Sequence, residues 1–505
     1  VSTHHFVAFD LGAESGRAIL ASLSDGTLAL EVKHRFANPT ARLRGHLHWD
    51  VLAQWEAIKA GLRKAAGSEV PGSETGARIE LSGIGVDTWG VDFGLVSADG
   101  DLVGVPYHYR DKRTEGVMDA TFARASRQSI FQATGIQFMQ LNTLFQLIAM
   151  QQQSPHLLDA AQTLLFMPDL FNYFFTGQRK SELSIASTSQ MLDPRERAWA
   201  MGLLRQLKLP AQILPELVPA GTVIGTLSDD VASACGVAPM PVIAPGCHDT
   251  ASAIAAVPAA DEASGDWCYI SSGTWSLMGV ELAQPLINDE SLKLNYTNEL
   301  GVGGRVRFMK NIMGLWLVQE CRRQFAADGY DHSYTELTQM ADRATAFGPV
   351  IDPEYGPFLS PDDMPGKIER FCTATGQKIP NTRGEFIRTC LESLALTYRR
   401  TLDGLEKMLG RKINVIHIVG GGSQNDLLNQ MTADACGRDV VAGPVEATAA
   451  GNVLVQAMAV GLIKSLTEAR AICRVSLETK RFTPRDSHKW DDAYDRFRNL
   501  PAVHA

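Results

Sequence analysis

Residues 6–20 read Phe6-Val7-Ala8-Phe9-Asp10-Leu11-Gly12-Ala13-Glu14-Ser15-Gly16-Arg17-Ala18-Ile19-Leu20. Two apolar runs flank a turn of small residues, which predicts strand, tight turn, strand. The same plan returns at Trp267-Cys268-Tyr269-Ile270-Ser271-Ser272-Gly273-Thr274-Trp275-Ser276-Leu277-Met278-Gly279. The two stretches share few residues but one pattern, a hairpin whose turn is built from Gly with Ser or Thr. Apolar strands predicted at Ile79–Val86 and Val415–Val419 alternate with helical periodicity, as sheets covered on both faces require. The expected fold class is therefore α/β, built from two halves that open alike.

The remaining pattern fills in around these hairpins. Asp50–Ala66 carries Val51, Leu52, Trp55, Ile58 and Leu62 at helical spacing. Glu385–Leu409 is a long amphipathic helix, and Gly410 suits its C-terminal stop. Further strands are predicted at Leu28–Phe36 and Val91–Val96. Arg110–Pro219 reads as mostly helical, with Gln146–Gln153 as a solvated face and breaks at Met167-Pro168-Asp169 and Thr176-Gly177. The expected division is 1–254, 255–465 and a charged, less periodic tail at 466–505 that packs back on the body.

A chain of 505 residues is too long for one ordinary core. Its 45% hydrophobic and 20% charged residues are an ordinary globular composition. The net charge of −9 comes with no dense Lys/Arg block, which argues against nucleic acid and anionic membrane as partners. Asp10, Glu14 and Arg17 interrupt the first apolar run, so neither a signal peptide nor a membrane span is expected there. Eight cysteines form no CxxC pair. Free thiols in a reducing, cytoplasmic compartment are expected, including at Cys372 and Cys390.

The chemistry centres on Pro241-Val242-Ile243-Ala244-Pro245-Gly246-Cys247-His248-Asp249-Thr250. A strand stops, turns tightly and starts a helix of small residues, leaving Asp249 at a strand end. That setting suits a general base acting on a bound hydroxyl, with His248 orienting the substrate. Helix capping by Asp249 or Thr250 is the alternative. Three small-residue turns can hold phosphate oxygens on backbone N–H groups: Gly12 to Gly16, Ser271 to Thr274, and Gly420 to Gly422. None matches the P-loop or dinucleotide patterns. Asp10 ends the first strand beside such a turn and reads as a Mg²⁺ partner or as a cap. Trp89, His48, Trp49 and Gln137 would line a polyol pocket or pack in the core. Arg17, Arg110 and Arg113 are candidates for holding an anion or for a solvated surface. No G-x-S-x-G elbow stands where a hydrolase needs it.

These motifs together resemble the FGGY-type carbohydrate kinases: VAFDLGAESGR, GIGVDTWGVDF, CHDTASA, SSGTWSLMG, KNIMGLWLVQE and HIVGGGSQNDLLNQMTADA, spanning residues 6 to about 452. Within the family they are most similar to the rhamnulokinase branch. The resemblance implies an actin-like fold of two RNase H-like domains, an N-terminal sugar-binding one and a C-terminal nucleotide-binding one, with a catalytic cleft between them. It implies ATP-dependent, Mg²⁺-assisted phosphorylation of L-rhamnulose at its 1-hydroxyl. Asp249 falls on the proton acceptor. Gly90, His248, Asp249, Thr250 and Asn311 fall on sugar contacts. Ala13, Glu14, Ser15, Gly16 and Arg17 fall on the first phosphate turn, Thr274 on the second, and Gln319 and Gly421 on further nucleotide contacts. Asp10 falls on the metal-associated aspartate. Glu14 departs from the Ser or Thr more usual in that turn and is expected to point outward or toward the metal. The alternatives are a kinase for L-fuculose, L-ribulose, L-xylulose or glycerol, or a non-catalytic sugar or nucleotide sensor on the same fold.

Overall fold

The opening stretch folds as expected in the computed structural model, which describes residues 2–67, 79–259 and 265–503. β1 (His4–Leu11) and β2 (Ser15–Ser24) form an antiparallel hairpin, with Asp10 opposite Arg17. β3 (Thr27–Ala37) pairs with β2. β4 (Leu81–Thr88) lies parallel to the other edge of β1, with Asp10 opposite Asp87. With β5 (Thr222–Thr226) and β6 (Pro241–Ala244), the sheet order is β5-β6-β4-β1-β2-β3. Between the strands, α1 (Val51–Ala65) starts where the Asp50 carboxylate accepts the Ala53 N–H, and it buries Ile58 and Leu62.

The second hairpin repeats the plan. β7 (Trp267–Ser272) pairs antiparallel with β8 (Trp275–Leu282) and parallel with β10 (Val415–Val419), while β9 (Val306–Met313) lies beyond β8. β11 (Asp439–Ala442) and β12 (Lys480–Phe482) continue the order to β9-β8-β7-β10-β11-β12, and the strand Thr297–Leu300 lies on the outer edge of β9 as the seventh.

The chain forms two units, each drawn from separated segments. One is Val1–Ala260 with Glu281–Phe308 and Ala447–Leu477; the other is Asp261–Val280 with Met309–Glu446 and Glu478–Ala505. The two units are thus interleaved along the chain. The reason is visible in the first unit, where α2 (Asp249–Ala255) meets α4 (Ala447–Ala459) at backbone distance. A Cβ on Gly451 would overlap the Ser252 carbonyl oxygen. Arg470, on α5 (Leu466–Ser476), is buried and bonds both the Ile254 carbonyl and the Glu281 carboxylate. In the second unit, α3 (Arg383–Leu409) is capped by Thr382 and ends at Gly410 with φ +65°.

Two local readings gain detail and one changes. Met167–Thr176 is a helix that starts at Met167 with Pro168 in its first turn, where the missing N–H costs nothing. The tail is ordered as α5, β12 and a helix at Ser487–Arg498. Gln146 is buried, although the Gln-rich run reads as solvated.

Candidate active site

In the first unit, β1, β4 and β6 run parallel, and their C-terminal ends carry the acidic side chains. Ligand sites of open α/β sheets gather at such ends. Asp10 and Asp87 are opposite one another on β1 and β4. Thr88 donates its N–H to the Cys247 carbonyl at 2.9 Å and bridges to His248, which brings the loop after β6 beside β4. The buried Glu182 carboxylate secures that loop by accepting the Cys247 N–H at 3.1 Å.

Asp249 is the first residue of α2, and its N-cap is His248. Its Oδ1 accepts the Thr250 N–H at 2.5 Å and the Thr250 hydroxyl at 3.1 Å, and lies 3.5 Å from His248 Nε2. All three contacts fall on Oδ1. Burial raises the Asp249 pKa above 3.8, His248 pulls it back, and nearby Asp10 raises it further. The side chain keeps 29% exposure, so that shift is moderated by water. A carboxylate with one oxygen anchored and the other clear of these contacts is suited to accept a proton.

Asp10 is buried and pairs with Arg17 across the hairpin. Asp87 is fully enclosed; burial and then Asp10 push its pKa well above 3.8, while the Asn452 amide at 2.6 Å opposes this. Its Oδ1 has no hydrogen-bond partner among the described residues. Two adjacent carboxylates, one with an orphaned oxygen, fit a Mg²⁺ ion that keeps most of its waters. No group of three or more His, Cys, Asp or Glu able to hold a metal occurs among the described residues. Asp87 was legible only as part of a motif; its pairing with Asp10 is a matter of strand register.

The first turn is fixed by its backbone: Gly12 N–H donates to the Ser15 carbonyl at 3.0 Å, and Asn38 N–H to the Glu14 carbonyl at 3.0 Å. Ala13 is half-buried, Glu14 and Ser15 are exposed, and Gly16 is buried against the Phe36 ring.

Gly90 packs where a Cβ would lie 3.2 Å from the Thr188 side chain. Beside it, Asp92 is a hub. Its Oδ2 accepts Trp49 Nε1 at 2.6 Å, Trp89 Nε1 at 3.0 Å and Tyr109 N–H at 3.1 Å, and its Oδ1 accepts Gln146 Nε2 at 2.9 Å. Trp49, Trp89, His48 and Gln137 are all buried. Trp49 stacks on His108 and packs at a tilt against Trp89, with ring centroids 4.1 Å apart in each pair. Arg113 is likewise neither solvated nor free for an anion. It bonds the Gln146 carbonyl at 3.0 Å and the Gln146 Oε1 at 2.7 Å, and lies over the Tyr107 ring. Arg110 lies over the Tyr109 ring.

In the second unit, the Thr274 carbonyl accepts the Gly314 and Trp316 N–H groups, each at 3.1 Å, which pins the turn to the start of the helix Trp316–Ala327. Gln319 lies on that helix with Oε1 buried and without a partner among the described residues. Asn311, on β9, is half-buried. Gly422 is packed so closely that a Cβ would overlap Ser272 Oγ, whereas Gly421 is exposed with open space beside it. The turn after β7 and the glycine turn after β10 are thus adjacent. All eight cysteines are buried free thiols, Cys372 and Cys390 among them. Among the described residues no helix is long and apolar enough to cross a membrane.

The profile of the FGGY family of carbohydrate kinases matches the chain with its N-terminal domain over residues 5–256 and its C-terminal domain over residues 268–460. The chain belongs to the FGGY family of carbohydrate kinases. This carbohydrate kinase is 44% identical to a rhamnulokinase of Bacteroides thetaiotaomicron, across 98% of the chain and 99% of that protein. It is 37% identical to a rhamnulokinase of Bacillus subtilis across 95% and 96%. Among solved structures it is similar to a ligand-bound xylulose kinase of Lactobacillus acidophilus, at TM-score 0.77 and 14% identity over 98% and 97% of the two chains. It is also similar to a Plasmodium falciparum glycerol kinase with ADP, at TM-score 0.74 and 14% identity over 99% of each. These structural matches carry the actin-like, two-domain α/β fold.

Proposed function

We propose that this carbohydrate kinase phosphorylates L-rhamnulose at its 1-hydroxyl with ATP, giving L-rhamnulose 1-phosphate and ADP. The full-length similarity to the Bacteroides rhamnulokinase, at 44% identity, carries the choice of sugar. Asp249, anchored through Oδ1, carries the chemistry. The substrate hydroxyl oxygen forms a bond to the γ-phosphorus while the bond to the bridging oxygen of ADP breaks. Its proton passes to the carboxylate of Asp249.

We assign Gly90, His248, Thr250 and Asn311 to sugar contacts. Ala13 to Arg17, Thr274, Gln319 and Gly421 are assigned to the nucleotide. In phosphoryl transfer such residues act by positioning and by stabilising charge. Asp10, with Asp87 beside it, would hold Mg²⁺, which when bound offsets phosphate charge. The reading is of a cytoplasmic enzyme.

The test is product structure. ³¹P and ¹³C spectra of the reaction with L-rhamnulose and ATP are expected to show phosphate coupled to C1. Faster turnover of L-fuculose, L-ribulose, L-xylulose or glycerol would reassign the sugar, and no sugar-dependent turnover would favour a sensor.

A further inference from the structure

His248 is held from behind by a buried ion pair that has no part in the reading above. Arg307 is fully buried, and the Glu299 and His248 side chains are 5% and 9% exposed. Arg307 Nη2 lies 3.2 Å from Glu299 Oε2 and 3.1 Å from His248 Nδ1. Glu299 Oε2 is itself 3.1 Å from His248 Nδ1. Arg307 Nε donates to the Leu300 carbonyl at 3.1 Å, and its Nη1 has no acceptor among the described residues. All of these residues belong to the first unit.

Burying such a pair gains little stability over apolar residues of the same volume. A donor left unsatisfied at its centre makes a purely structural role weaker still. What the pair does settle is the imidazole. On one side Nδ1 is hydrogen-bonded to a donor, Arg307 Nη2, which also donates to Glu299 Oε2. On the other side Nε2 lies 3.5 Å from the Asp249 carboxylate, with no other ion-pair partner among the described residues. A neutral ring with its proton on Nδ1 would turn a lone pair toward that carboxylate and a proton toward the guanidinium. A ring protonated on Nε2 instead accepts from Arg307 and points its N–H at Asp249. The imidazolium, which also donates to Glu299, likewise carries a proton on Nε2.

We propose that Arg307, held in place by Glu299, is a positioning residue: by donating to Nδ1 it keeps the proton of His248 on Nε2, on the side of Asp249 Oδ1, so that Asp249 presents its other oxygen to the sugar hydroxyl. This rests on Asp249 being the proton acceptor. Neither Glu299 nor Arg307 stands in a sequence motif, because the contact is made by two segments that follow α2 by some fifty residues.

The test pairs a spectroscopic readout, which needs no substrate, with kinetics. In wild type the His248 ring nitrogens, assigned in ¹⁵N-labelled protein by their loss in His248→Gln, are expected to show Nε2 protonated. In Glu299→Gln, and in the Glu299→Gln/Arg307→Met double variant should the first fail to fold, the tautomers are expected to average. Turnover per folded enzyme is expected to fall roughly ten- to a hundredfold, with the KM for ATP unchanged. A wild-type ring protonated on Nδ1 alone would overturn the proposal. So would variants that keep the wild-type ring signals and the wild-type kcat while losing only thermal stability. Failure of L-rhamnulose as a substrate would show in wild type and leave the ring signals to decide this point.

Discussion

Val91 holds its backbone at φ +69°, and its carbonyl accepts the Thr143 hydroxyl at 2.6 Å. The Val91 N–H donates to Thr188 Oγ1 at 3.1 Å, so the peptide groups on both sides are clamped. A β-branched residue in this region is strained by about 1–3 kcal/mol. The strain sits directly after Gly90. Glycine relieves it and alanine does not, while both lose the buried γ-methyl contacts. Val91→Gly is therefore predicted to be more stable than Val91→Ala by about 1 kcal/mol, the reverse of the usual order. Chemical denaturation of the two variants checks this; a Val91→Ala protein more stable than Val91→Gly would show the backbone to be unstrained.

Asp92 is fully buried, and burial raises its pKa from 3.8 to about 6, against the pull of its Trp49, Gln146, Trp89 and Tyr109 hydrogen bonds. A raised folded pKa contributes stability that is present below the unfolded value and lost as pH rises through the folded one. The window is therefore about pH 4 to 6. Asp92→Asn cannot titrate, so its cost relative to wild type is predicted to be larger at pH 4.5 than at pH 7.5. Denaturation of both proteins at the two pH values measures this. An equal cost, or a larger one at pH 7.5, would contradict it.

The hairpins, the parallel strands and the capped helix ending at Gly410 were legible because apolar periodicity and small-residue turns are local. So was Asp249, since a strand end followed by a helix start is written in ten consecutive residues. The aromatic and amide cluster was not. Gln146 reads as a solvated glutamine because nothing nearby in sequence reveals that Asp92 and Arg113 meet it. That Asp92 accepts from both Trp rings is equally invisible in the sequence. The membership of Ala447–Leu477 in the first unit rests on Gly451 against Ser252, a contact between segments some two hundred residues apart.

That contact has no slack. A Cβ on Gly451 would meet a backbone carbonyl, not a side chain that can turn away. Gly451→Ala is predicted to destabilise the protein by about 3 kcal/mol, at the upper end of overpacking costs. Gly421→Ala, with open space at its Cβ, is predicted to stay within about 0.5 kcal/mol. Equal melting temperatures for the two variants would mean that α2 and α4 are not packed at backbone distance.

Asp249 must be ionised to accept a proton. Its pKa is raised above 3.8 by burial and by Asp10, and His248 opposes that rise. The acid limb of kcat/KM is predicted to lie above the ordinary aspartate value, and His248→Gln is predicted to move it to higher pH. A pH profile of the variant that is unchanged, or shifted to lower pH, would remove His248 from the electrostatics of the base.

The central claim is tested most directly by Mg²⁺-dependent ADP formation with L-rhamnulose in wild type and Asp249→Asn, with sugar binding followed by calorimetry. The prediction is sugar-stimulated turnover in wild type and a loss of at least about a thousandfold in the variant, which still binds the sugar; proton transfer alone is worth about 10²–10⁴. Turnover by Asp249→Asn within tenfold of wild type, with sugar still bound, would contradict Asp249 as the proton acceptor.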